Sequence, residues 1–131
     1  MDRTKRTVLV VEDDTLLMQA ITKKLILNGF NVISFSSGTE TIEYINSGKE
    51  LPDAIWLDFL FKDMNGLDVM RMIKNNPLWS SIPVLVVSNS GSSDKVKTML
   101  ALGVKQYLVK ADYRLEDIIN IINDFIETDT K

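Results

Sequence analysis

The chain has 131 residues, 45% of them hydrophobic and 25% charged, which suits one compact domain. Its net charge of −3 argues against direct nucleic-acid binding, which ordinarily shows as a basic patch or stripe. It contains no cysteine and no histidine, which excludes disulfides, thiolate or imidazole metal ligands, Ser-His-Asp chemistry and the role of a phosphohistidine carrier.

In chain order, a basic start leads into the apolar run Thr7–Val11. That run stops at Glu12, Asp13 and Asp14, too early for a secretory signal core or a bilayer span. The expectation is a cytoplasmic protein with no membrane insertion. A helix is predicted over about Leu16–Asn28, with Leu17, Ala20, Ile21, Leu25 and Asn28 at helical spacing and Gly29 as its stop. A second strand, Val32–Phe35, precedes a helix over about Gly38–Asn46. A third strand, Ala54–Leu57, precedes a helix over about Gly66–Asn75 that stops before Pro77. A fourth, Val84–Val87, precedes a helix over about Ser93–Leu102 that ends at Gly103. The fifth strand, Gln106–Val109, precedes a helix over about Leu115–Ile126, whose stripe is Leu115, Ile118, Ile119, Ile122, Phe125 and Ile126. Near-continuous apolar runs such as VLVV and AIWL suit strands buried on both faces. Five strand–helix units in a row predict an α/β fold with a mostly parallel sheet. The chain reads as one domain with its core over about residues 7–127, and the polar tail from Glu127 is expected to fray.

Open parallel sheets bind ligands beyond the carboxyl ends of their strands. At those ends stand Glu12, Asp13 and Asp14, then Asp58, then Ser88, Asn89 and Ser90, and finally Lys110. Taken singly, each has an ordinary role: a helix cap, a turn residue, a solvated lysine. Taken together, three carboxylates at one edge repel and call for a cation. An oxygen-only donor set suits Mg²⁺. Glu12, Asp13 and Asp58 carry three negative charges, which one Mg²⁺ and Lys110 would neutralise. Such a site suits phosphoryl transfer, with Asp58 attacking phosphorus in line. Mg²⁺ and Lys110 would bind two phosphoryl oxygens, and the Ser88 hydroxyl or a nearby N–H the third.

These motifs resemble the receiver domain of bacterial response regulators over nearly the whole chain. VLVVEDD resembles the first strand and acidic pair, here Glu12 and Asp13. PDAIWLD resembles the third strand ending on the phosphoacceptor, here Asp58. DFLFKDMNG keeps the spacing of eight from Asp58 to Gly66. IPVLVVS ends on the hydroxyl position, Ser88, and GVKQYLVK carries the switch aromatic Tyr107 and the lysine Lys110. The resemblance implies a flavodoxin-like (βα)5 doubly wound sheet of five parallel strands. It implies Mg²⁺ held by Glu12, Asp13, Asp58 and the backbone carbonyl of Leu60. It implies phosphorylation of Asp58 by a histidine kinase or histidine phosphotransfer protein. Ser88 and Tyr107 would then switch the face made by the fourth helix, fifth strand and fifth helix toward a protein target that the sequence does not identify. Dimerisation on activation is left open. No output domain is read after the fifth helix, so the expectation is either a single-domain regulator, the preferred reading, or a receiver excised from a longer chain, in both cases one that catalyses only its own phosphorylation and slow dephosphorylation.

Several positions depart from the family pattern. Lys62 replaces a proline after the phosphoacceptor. Asn89 replaces a small residue and either narrows access or donates its amide to a phosphoryl oxygen. Ala111 replaces a proline normally joined by a cis bond, so a trans, reshaped loop is expected, which puts the reach of Lys110 at issue. Leu60 and Ser90 flank the path of a hydrolytic water, and an apolar Leu60 points to slow self-dephosphorylation. Leu16 and Met18 lie off the main stripe of the first helix. They are read either as edge packing or as an exposed pair that meets a kinase together with the loop Ala111–Tyr113. The competing reading is a pseudo-receiver, a phosphorylation-independent binding module. An aspartyl-phosphate hydrolase is disfavoured by Leu60, which stands where a second aspartate is needed. A flavin-binding module is disfavoured by the acidic first loop.

Overall fold

The structure, a computed structural model, describes residues 4–129. Five strands form one sheet: β1 (Thr7–Val11), β2 (Asn31–Phe35), β3 (Ala54–Leu57), β4 (Val84–Ser88) and β5 (Gln106–Val109). Their order is β2-β1-β3-β4-β5 and every pairing is parallel. Five helices alternate with them: α1 (Thr15–Leu27), α2 (Gly38–Ile45), α3 (Gly66–Asn75), α4 (Ser93–Ala101) and α5 (Leu115–Asp129). This is the doubly wound, flavodoxin-like arrangement, with its topological switch point between β1 and β3.

The apolar strands alternate between two cores. Val8, Val10, Trp56, Leu85 and Val87 pack with Ile21 and Leu25 of α1 and with Ile118, Ile119 and Ile122 of α5. Leu9, Val11, Ile55, Leu57, Val84 and Val86 pack on the other face with Ile45 of α2, Val69, Met70 and Ile73 of α3, and Met99 of α4. Burial on both faces is why these runs read as continuously apolar.

Helix ends follow their caps. Asp14, Ser37, Asn65 and Ser92 each accept an N–H from the first turn of α1, α2, α3 and α4. Gly29, at φ +89°, closes α1 by donating to the Ile26 carbonyl while Phe30 donates to that of Leu25. A left-handed glycine with this pair of bonds stops a helix sharply.

Three expectations are corrected. Ala20 is exposed, because the buried line of α1 runs through Ile21 and Leu25 and Ala20 sits about 100° off it. Helix α5 runs three residues past its expected end at Ile126, to Asp129, with no glycine or proline to stop it. A short 3-10 helix, Lys110–Asp112, follows β5 where a loop was expected. No helix among the described residues is long and apolar enough to cross a membrane.

Candidate functional site

Backbone register brings the site together. Val11 of β1 lies beside Leu57 of β3, and Ser88 of β4 beside Val109 of β5. The Asp58 N–H donates to the Val11 carbonyl at 3.0 Å, carrying the β1–β3 pairing one step past the strands. The residues that follow these strands therefore share one edge.

Glu12 is 1% exposed, an unusual burial for a carboxylate. Its Oε2 accepts the Asp14 N–H at 3.2 Å and its Oε1 meets Lys110 Nζ at 2.8 Å. Asp58 is also buried; its Oδ1 accepts the Phe59 N–H at 2.6 Å and its Oδ2 lies 3.2 Å from Lys110 Nζ. One ammonium thus bridges two carboxylates. Burial pushes the Glu12 carboxyl above its ordinary range and Asp58 beside it adds to the rise, while Lys110 opposes both. Burial pulls the Lys110 ammonium down, but Glu12 and Asp58 more than offset this, so its pKa stands above the usual lysine value. Lys110 is a fixed cation at neutral pH.

The acidic triplet divides by role. Asp14 caps α1, accepting the Leu17 N–H at 3.0 Å. Glu12, Asp13 and Asp58 each offer an oxygen, and the three lie within 4.8 Å of one another. An oxygen-only donor set of this size and charge fits a hard divalent cation such as Mg²⁺. Gly66 lets the next helix start close against this cluster: a Cβ there would lie 2.8 Å from the Asp58 carbonyl oxygen.

A cleft of about 330 Å³ is lined by Glu12, Asp13, Asp58, Leu60, Ser88, Asn89, Ser90 and Lys110, together with Asp14 and Leu17. It gathers most of the residues singled out from the sequence. Ser88 is buried, and its hydroxyl accepts the Ser90 N–H at 3.4 Å. Asn89 and Ser90 stand exposed on the rim. The Leu60 side chain is exposed and its backbone bridges to Asn65. Tyr107 and Ala111 do not line the cleft. Tyr107 is half-buried, and its hydroxyl donates to the Ser90 carbonyl at 2.7 Å. Ala111 is exposed on the 3-10 helix. No peptide bond among the described residues is cis, so the Lys110–Ala111 bond is trans, and Lys110 still reaches both carboxylates.

Two residues beside the site went unnoticed in the sequence. Lys95 of α4 donates to the Ser90 hydroxyl at 3.1 Å and lies 5.0 Å from the Phe59 ring centroid. Asp63 fastens the β3–α3 loop to α2. Neither has a local sequence signal, since a charged residue on a helix or loop is ordinarily solvated. Leu16 is 78% exposed, as one reading had it, but Met18 packs against the α1–α5 core. The loop Ala111–Tyr113 is exposed.

A family model described as the response regulator receiver domain matches residues 8–123. The transcriptional regulatory protein KdpE of Mycobacterium tuberculosis is 33% identical over 104 residues, which cover 79% of this chain and 43% of KdpE. The chain spans under half the length of the curated relatives it matches. The phosphorylated cyanobacterial phytochrome response regulator RcpA superposes with a TM-score of 0.80 at 25% identity, over 94% of this chain and 92% of that one. The Mn²⁺-bound response regulator Rcp1 superposes with a TM-score of 0.77 at 25% identity, over 89% and 88% of the two chains.

Proposed function

The chain belongs to the response regulator receiver domain family, and from that premise we propose that it accepts a phosphoryl group on Asp58 in a two-component phosphorelay. The observation that carries this reading is the Lys110 ammonium set between Glu12 and Asp58, at 2.8 and 3.2 Å, beside a third carboxylate from Asp13. Glu12, Asp13, Asp58 and the Leu60 carbonyl are the groups that would hold Mg²⁺, which when bound supplies positive charge against the phosphoryl oxygens. RcpA crystallised in phosphorylated form and Rcp1 with a divalent metal support the same assignment.

In the transfer, an Asp58 oxygen forms a P–O bond as the P–N bond of a phosphohistidine breaks. The freed imidazole nitrogen keeps the electron pair and takes up a proton. The donor is a histidine kinase or phosphotransfer protein acting in the cytoplasm. Lys110 donates to one phosphoryl oxygen and Ser88 to another, which is positioning and charge stabilisation without further covalent work. No separate substrate is turned over. Phosphorylation adds up to about two negative charges, drawing Ser88 and the β4–α4 loop toward Asp58. That movement breaks the hold of the Ser90 carbonyl on the Tyr107 hydroxyl, and Tyr107 turns inward. The face of α4, β5 and α5 then presents a changed surface to a downstream protein or a second copy.

Incubation with Mg²⁺ and acetyl phosphate should add one phosphoryl group by intact mass, and Asp58→Asn should add none. An undiminished gain in Asp58→Asn would overturn the assignment; no gain in the parent would leave a binding module that keeps the fold. Because the Leu60 side chain offers no polar atom to orient water, the phosphoprotein should decay over minutes or longer, and decay within seconds would contradict that role for the Leu60 side chain.

A further inference from the structure

The loop after Asp58 is fastened to an element that carries none of the charged groups of the site. Asp63 lies in that loop, and its carboxylate reaches across to α2. Its Oδ1 accepts the Gly38 N–H at 3.1 Å. Its Oδ2 accepts the Thr39 N–H at 2.8 Å and the Thr39 hydroxyl at 2.5 Å. Gly38 and Thr39 open α2, and first-turn amides have no partner within their own helix. Met64 presses on the same spot, so closely that a Cβ on Gly38 would lie 2.3 Å from Met64 Cγ. The loop is also closed on itself. Phe61 donates to the Met64 carbonyl at 3.0 Å and Gly66 donates to the Phe59 carbonyl, and these two bonds make the antiparallel bridge that sets Leu60 opposite Asn65. Asp58, the Leu60 carbonyl and Asp63 therefore belong to one stiff loop whose outer end is pinned to α2.

We propose that Asp63 is a positioning residue for the metal site: by clamping the β3–α3 loop onto the first turn of α2, it holds the Leu60 backbone carbonyl in place for a divalent cation at Glu12, Asp13 and Asp58. This rests on the reading of those groups as a Mg²⁺ site. Mg²⁺ demands near-octahedral geometry, so a ligand carbonyl on a loosened loop binds it poorly. Coupling between two sites is reciprocal. A cation at one end of the loop must therefore tighten the clamp at the other.

The test uses the intact chain, with Mg²⁺ affinity read by calorimetric titration and exchange of the Gly38 and Thr39 amides read with and without Mg²⁺. The parent should bind Mg²⁺ saturably, and its Thr39 amide should exchange more slowly when Mg²⁺ is bound. In Asp63→Ala the affinity should fall by about tenfold, the scale for losing an orienting partner of a metal ligand. Asp63→Asn, which keeps one acceptor oxygen, should fall between the two. Should Asp63→Ala fail to fold by circular dichroism, Thr39→Val carries the test, since it deletes only the hydroxyl and should show a smaller loss of affinity. Unchanged affinity in the folded variants, or a parent Thr39 amide indifferent to Mg²⁺, overturns the proposal while leaving the metal site standing. A parent that binds no Mg²⁺ overturns the metal reading and this proposal with it.

Discussion

Lys110 places one positive charge between a carboxylate that is 1% exposed and another that is 6% exposed. Removing the ammonium leaves Glu12 with the Asp14 N–H and a second negative charge nearby. Lys110→Met is therefore expected to destabilise the protein at neutral pH by about 3 kcal/mol, the scale for stranding a buried charge. Urea denaturation without divalent metal reads this directly. Added Mg²⁺ should return part of the loss, because a cation in the same cluster replaces the missing charge. A variant as stable as the parent would show that the pairing contributes nothing. The residues of this cluster were legible in the sequence for a simple reason. Once the strands are recognised as parallel, everything just past their ends shares one edge, whatever the loops do later. That Lys110 reaches its partners despite Ala111 was not legible, because it depends on the 3-10 turn that starts at Lys110 itself. Lys95 was not legible either, since its position shows only once α4 is packed and Ser90 and Phe59 come within its reach.

Helix boundaries follow from side chains that answer orphan backbone groups, and these are visible locally. Asn65 and Ser92 sit at the starts read for α3 and α4, and Gly29 and Gly103 just beyond the ends of α1 and α4. The three-residue helix Lys110–Asp112 has no periodic signal to read, being shorter than one α-helical turn. The Asp63 clamp is likewise hidden, since its partners stand about 25 residues earlier on α2. It does leave a measurable trace in acid. The Thr39 hydroxyl first, then the Thr39 and Gly38 amides, lower the Asp63 carboxyl from 3.8 to about 2. As pH falls, the unfolded chain takes up this proton before the folded one. The clamp's contribution to stability is therefore full above the unfolded value of 3.8 and lost as pH falls through about 2. Asp63→Asn should be less stable than the parent at neutral pH, and the gap between their urea midpoints should close toward pH 2. A gap that stays constant across that range would show that the carboxylate charge is not what holds the loop.

At the scale of the whole molecule, one sheet separates two cores, and each holds one buried tryptophan. Trp56 lies in the α1–α5 core and Trp79 in the core beneath α2, α3 and α4. Strands β1, β3 and β4 each send alternate side chains to the two faces, so neither core can form without the strands that build the other. This predicts one cooperative transition. Trp56→Phe and Trp79→Phe each leave a single tryptophan, reporting on opposite faces, and their unfolding curves should coincide with the loss of helical circular dichroism within each variant. Ile122→Val on α5 and Ile73→Val on α3 trim one methylene from opposite cores at fully buried positions, and each should cost about 1 kcal/mol. Each should shift both reporters by the same amount and leave the denaturant slope unchanged. Because the two sites share no partner across the sheet, the double variant should be additive to within about 0.5 kcal/mol. If Ile122→Val moved only the Trp56 signal, the faces would unfold separately. The sheet would then be a partition between two units, and a charge change at its carboxyl edge would have no cooperative structure through which to reach the far side of the molecule.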